Sequence, residues 1–159
     1  MTIREYLSRD HARLDALLAQ AVAAPQVDET SYTEFRAGLL RHIAMEEKVL
    51  FADARARNDD GVAQLIAVLH ADHAAIASLL VPPPTHALID TLQKVLAEHN
   101  PLEEDPDGLY ERCDRAAGDG VQAVIARMEA IPAVRASRYL DEPRIYAHIE
   151  RMLAARLTR

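Results

Sequence analysis

The chain has 159 residues, half of them hydrophobic and 27% charged, with a net charge of −7, which suits one core-forming domain with room for an appendage and excludes a disordered chain. The acidic balance and an aromatic content of 4% without tryptophan argue against a nucleic-acid or anionic-membrane binder. No apolar run is expected to reach the ~20 residues of a bilayer span, no signal-like start is visible, and the single cysteine, Cys113, fits a reducing cytoplasm.

The elements read as helices almost without interruption. Thr2-Ile3-Arg4-Glu5 has the capping-box pattern that opens a helix, and this first helix ends before Pro25. Ser31-Tyr32-Thr33-Glu34 repeats the pattern and opens a second, predicted to stop near Asn58-Asp59-Asp60-Gly61. A third runs from there to Val81-Pro82-Pro83-Pro84, which no helix crosses. Thr85 caps a fourth, running toward Asn100-Pro101, where the proline predicts a kink. Short connections between four helices predict an all-α, antiparallel up-down four-helix bundle over residues 1–117. Residues 118–159 read as a C-terminal helical extension packed on that bundle. There Asp119 opens a short helix to Ala130, and Asp141-Glu142-Pro143 starts a last one with Ile145, Ile149, Met152 and Arg156 on one face.

Steps of three and four define the inward stripe of each helix. They give Ile3, Leu7, His11, Leu14 and Leu18, then Phe35, Leu39, His42, Glu46 and Val49. The third stripe is Val62, Ile66, Leu69, His73, Ile76 and Leu80, and the fourth is Leu88, Leu92, Val95, His99 and, one turn on, Glu103. Each stripe therefore carries one histidine into the core. A lone core histidine is ordinarily just hydrogen-bonded. Four converging with two glutamates cost several kcal/mol to bury unless they are paired or hold a metal.

An internal duplication registers on the same residues. Asp10-His11 aligns with Asp72-His73, and His42-x-x-x-Glu46-Glu47 aligns with His99-x-x-x-Glu103-Glu104. Nitrogen and oxygen donors without thiolate suit iron, with zinc or manganese as substitutes. Four imidazoles and two bridging carboxylates supply about eight bonds, and a bridging oxo or hydroxo group about two more. Of the roughly twelve that two octahedral ions need, about two stay open for a small ligand. The ferritin-like Glu-x-x-His pattern, the His-Glu-x-x-His of zinc proteases, Cys-x-x-Cys sites and Gly-rich phosphate loops do not occur.

The ordered set His11, His42-x-x-x-Glu46, His73 and His99-x-x-x-Glu103 resembles the hemerythrin-like, or HHE cation-binding, family. The resemblance implies a four-helix bundle around a non-haem di-iron centre, with the four histidines as terminal ligands and Glu46 and Glu103 bridging. It implies binding of, or reaction with, O₂, peroxide or NO. Oxygen carriers of that family have a fifth histidine where this chain has Ala77, and their last carboxylate lies five residues after its histidine rather than four. The missing histidine turns the expectation from reversible O₂ carriage to a more open, reactive centre, and the four-residue spacing resembles the broader HHE group. His70, Glu47 and Glu104 are further candidate ligands, while Asp10, Asp15 and Asp72 are candidates to orient the histidines. The competing readings are an iron reservoir or sensor acting through a protein partner, and a metal-free helical interaction module. No partner, reductase or organic substrate pocket is indicated.

Overall fold

A computed structural model describes residues 1–57 and 61–158, and all regular structure among them is helical. The first helix, α1 (Ile3–Ala21), opens on the expected capping box: Thr2 Oγ1 accepts from the Glu5 amide at 3.0 Å, and Glu5 accepts from the Thr2 amide at 2.8 Å. Helix α2 (Glu29–Met45) starts earlier than Ser31. Its cap is Asp28, which accepts from the Thr30 amide, while Ser31 is buried and donates to the other Asp28 oxygen at 2.7 Å. An aspartate at that position adds its charge to the helix dipole, which a serine cannot do.

Helix α2 runs directly into a π-helical turn (Glu46–Leu50) and then α3 (Phe51–Ala56). The predicted stop at Asn58, Asp59 and Asp60 lies outside the described residues. Helix α4 (Val62–Leu79) follows Gly61, whose φ of 93° favours glycine. Helix α5 (His86–Glu104) is capped by Thr85 and stays continuous through Pro101 as far as Glu104. Pro101 sits in the last turn. The bond it forfeits would go to the carbonyl of Ala97, an exposed residue that water can serve.

Beyond α5 the chain makes a turn not anticipated from sequence, then α6 (Leu109–Ala117), α7 (Val121–Glu129) and α8 (Pro143–Leu157). Gly108 is required in that turn: a Cβ there would lie 2.7 Å from the Glu103 carbonyl oxygen. The Asp114 carboxylate accepts from the amides of Ile3 and Arg4, so α6 also caps α1.

The helical hairpins α1–α2 and α4–α5 form the bundle, with α6 against α1 and α5, and α8 against α4. Of the predicted inward residues, Leu88 alone is only partly buried, and Ile89 takes its place. Two apolar clusters result. One gathers Leu7, Met45, Phe51, Leu69 and Tyr110, the other Leu14, Phe35, Leu39, Ile76 and Val95. The histidines fall between them along each helix, in a polar layer at the middle of the bundle.

The expectation that no stretch reaches membrane-spanning length needs correction. Helix α4, at 18 residues, is long and apolar enough to cross a membrane. Its alanines, leucines and valines produce that composition, yet it places Asp72 and His73 at the centre of the bundle and packs on α5 and α8.

The segment between α7 and α8 is pinned to the bundle by two arginines of α2. Arg36 donates to the carbonyls of Leu80 and Ser137, both at 2.6 Å, and Arg41 donates to that of Ile131. On α8, Ile149 and Arg156 are buried, and Ile145 and Met152 partly so.

Candidate metal centre

His11, His42, His73 and His99 come from α1, α2, α4 and α5, and all four are buried. Glu46 and Glu103 lie one turn beyond His42 and His99 and are fully buried. Their ligand atoms form two groups, each within 4.8 Å: His11, His42, Glu46 and Glu103, and His73, His99 and Glu103. The rings pair accordingly, His11 with His42 at 4.4 Å and His73 with His99 at 4.9 Å, and Phe51 stacks on His73.

Each carboxylate offers one oxygen to each pair. Glu46 Oε1 lies 3.4 Å from His42 Nε2, and its Oε2 lies 3.2 Å from His73 Nε2. Glu103 Oε2 lies 3.6 Å from His11 Nε2, and its Oε1 lies 3.1 Å from His99 Nε2. Two carboxylates thus stand between two imidazole pairs.

The outer nitrogens are held just as regularly. Asp10 meets His42 Nδ1 at 2.9 Å, Asp72 meets His99 Nδ1 at 3.3 Å and Glu47 meets His73 Nδ1 at 2.8 Å. Glu104 is hydrogen-bonded to His11 Nδ1. A carboxylate accepting from Nδ1–H leaves Nε2 with its lone pair directed inward, the tautomer a cation requires. Glu47 and Glu104 therefore turn to the outer nitrogens rather than into either group. The π-helical turn begins at Glu46, and Glu46 and Glu47 meet the two nitrogens of one ring, that of His73.

Other candidates fall outside this cluster. His70 has a side chain 68% exposed and bonds the Glu47 carboxylate at 2.9 Å. Asp15 is exposed, at the rim. Ala77 contributes no donor. His86 and His148 are exposed.

Two contributors were missed by sequence reasoning. Tyr110, from α6, places its hydroxyl 2.6 Å from Glu46 Oε1 and 3.1 Å from Glu103 Oε2, with His11 and His42 Nε2 both at 3.3 Å. Its signal was the apolar pattern Leu109, Tyr110, Cys113 and Ala117 after Asp105-Pro106-Asp107-Gly108. Arg156, from α8, donates to Asp72 at 2.9 Å and to Glu98 at 2.9 Å. It thereby supports the carboxylate that holds His99.

Residues 2–111 match the family model of the hemerythrin HHE cation-binding domain. The chain belongs to the hemerythrin HHE family. No curated protein and no solved structure matches it. The family binds metal cations, and both groups of donors could hold one. Arg156 lies beyond the matched HHE residues, whereas Tyr110 lies within them.

The orphaned polar atoms fit a cation. Glu46 Oε2, His73 Nε2 and Glu103 Oε1 are buried without a hydrogen-bond partner, and all three face the His73–His99 group. Each such atom costs about 1–3 kcal/mol when left unsatisfied. Without metal, protons carry the compensating charge. Burial disfavours charged imidazoles here, but the surrounding carboxylates overcome it and raise His42 to about 10, His73 to about 11 and His99 to about 9. Burial likewise opposes a charged Glu46, yet His42 and His73 hold its carboxyl well below the usual range. Burial, with Glu103 and Glu46 alongside, pushes the Tyr110 phenol well above its ordinary value.

A small cavity adjoins the four histidines. It is lined by Leu14, Phe35, Leu39, Ile76 and Leu96, with Asp15 and Asn100 toward the outside, and encloses about 10 Å³. That is room for about one water molecule.

Proposed function

We propose that this HHE protein holds two iron ions and binds or reacts with O₂ or a related small molecule, peroxide or NO. The observation that carries the reading is the pair of carboxylates, each presenting one oxygen to each imidazole pair. Imidazole and carboxylate donors without thiolate favour iron over softer ions, with manganese and zinc as competitors. Glu46 and Glu103 would bridge the ions, and the four histidines would cap them. Bound iron supplies electrons to a small oxidant or a position for a diatomic ligand. The chain's own residues fix the geometry: the four outer carboxylates orient the rings, and Leu14, Phe35, Leu39 and Ile76 keep bulk water from the cavity.

The cavity's size argues for a ligand of two or three atoms rather than an organic substrate. A purely structural interaction module gives no reason to bury four imidazoles and two carboxylates in one layer. A reservoir or sensor would use the same centre and add a protein partner.

Anaerobic reconstitution with Fe(II), followed by metal analysis and optical spectra before and after air, tests the reading. The expected result is two irons per chain, matching the two donor groups, and a lasting visible and near-ultraviolet absorption change on oxidation. Without a histidine at Ala77 the oxidation should not reverse on removing O₂. Less than half an equivalent of any metal, with unchanged thermal stability, would sink it in favour of the interaction module.

A further inference from the structure

We propose that Tyr110 is a metal ligand, a phenolate donor to the ion held by His11 and His42, so that the two cation positions are chemically unlike. This rests on the di-metal reading above and adds a donor to it.

The position of the hydroxyl carries the argument. Tyr110 Oη lies between 2.6 and 3.3 Å from four atoms: His11 Nε2, His42 Nε2, Glu46 Oε1 and Glu103 Oε2. These residues supply the first donor group, whose ligand atoms lie within 4.8 Å of one another. A cation at ~2.0–2.2 Å from imidazole nitrogen and carboxylate oxygen cannot sit among them without meeting Oη. The phenol has one proton to donate, so it cannot satisfy both carboxylates at once.

The ring has little freedom to leave. Tyr110 is 0% exposed and packed in the apolar cluster with Leu7, Met45, Phe51 and Leu109. Its helix is fixed to the end of α5 by the tight Gly108 turn and to the start of α1 by Asp114. Departure of the hydroxyl would require α6 to move with it.

The other group has no counterpart. Around His73 and His99 the inward atoms Glu46 Oε2, His73 Nε2 and Glu103 Oε1 make no hydrogen bond and face only one another and His99 Nε2. That position receives a cation directly, whereas at the first the phenolic O–H bond breaks, its proton passes to solvent and its oxygen bonds the metal. A hard anionic oxygen in addition to two carboxylates suits Fe(III), so the His11–His42 position is the ferric-preferring one.

Ferric protein, assayed for iron content and examined by visible absorption and resonance Raman spectroscopy, tests the assignment. The wild type should show a phenolate-to-Fe(III) charge-transfer band with enhanced tyrosine ring vibrations. Tyr110→Phe should lose both while retaining iron, and Tyr6→Phe, in a neighbouring helix, should keep both. Should the phenylalanine variant fail to fold, the wild-type vibrations decide alone. Two irons per chain without tyrosinate vibrations would overturn the assignment and leave the metal centre standing. A band that persists in Tyr110→Phe would overturn it too. A wild type that takes up no iron would overturn both readings together.

Discussion

At the scale of single residues, the centre depends on groups that would never touch the metal. Asp10, Asp72, Glu47 and Glu104 each fix one imidazole through Nδ1. Removing such support typically costs 10–100-fold in metal affinity. Asp10→Asn and Glu104→Gln should therefore weaken iron binding by about that factor with helicity retained, as competition titration and circular dichroism would show. Unchanged affinity in both would mean that packing alone orients His42 and His11. His42→Ala and Glu46→Ala should lower iron stoichiometry outright, whereas His70→Ala should leave it intact, because His70 faces solvent. The inward stripes and the duplicated Asp-His and Glu-Glu pairs were legible in the sequence because each is a local, periodic signal. The same stripes put Glu46 and Glu103 inward, where they are buried, but could not show that Glu47 and Glu104 reach the outer nitrogens of His73 and His11 on the other hairpin.

At the scale of elements, a helix outside the matched family region reaches the centre. Arg156 of α8 is buried, and its guanidinium meets Asp72 on α4, which in turn holds His99. Breaking a buried pair by deleting one partner costs roughly 3–5 kcal/mol. Its second contact, to the mostly exposed Glu98, adds little. Arg156→Met should destabilise metal-free protein by about 3 kcal/mol on this basis, measured by denaturant unfolding, and should reduce iron occupancy. A change within about 0.5 kcal/mol, the range of ordinary surface substitutions, would show that α8 merely covers the bundle. Sequence periodicity placed Arg156 on the correct face of its helix. It could not reveal the partner, which lies 84 positions away. Nor could it reveal the π-helical turn, whose backbone bonds differ from those of an α-helix while its residues do not. Helix α6 was hidden for a simpler reason: at nine residues it is too short for its apolar pattern to stand out, and Tyr110 meets His11 99 positions away.

At the scale of the whole molecule, the centre sets how stability responds to pH. An unfolded imidazole holds its proton only below about pH 6.5. Folded and metal-free, His99, His42 and His73 keep theirs to about 9, 10 and 11, against the pull of burial, because of the carboxylates beside them. The folded state thus binds more protons above pH 6.5. Its stability from these groups is complete below that value and is lost as pH rises through 9 to 11. A metal at Nε2 replaces those protons, so the loaded protein is spared this loss. The difference in melting temperature between loaded and metal-free protein should widen from about pH 6 to about pH 9. Differential scanning calorimetry of both forms would show it, and a narrowing gap would contradict the assignment of these histidines.

The pattern of outer carboxylates also bears on ancestry. Within each hairpin an aspartate holds the second histidine, Asp10 for His42 and Asp72 for His99. Across the hairpins a glutamate holds the first, Glu47 for His73 and Glu104 for His11. Neither hairpin closes this ring by itself. A single ancestral hairpin meeting its own copy would close it twice over, as a two-fold symmetric pair does. In such a pair any side chain placed beside one cation is placed beside the other. A single chain that carries both copies is free of that constraint. Tyr110 stands on one side alone, a difference no symmetric pair could have acquired.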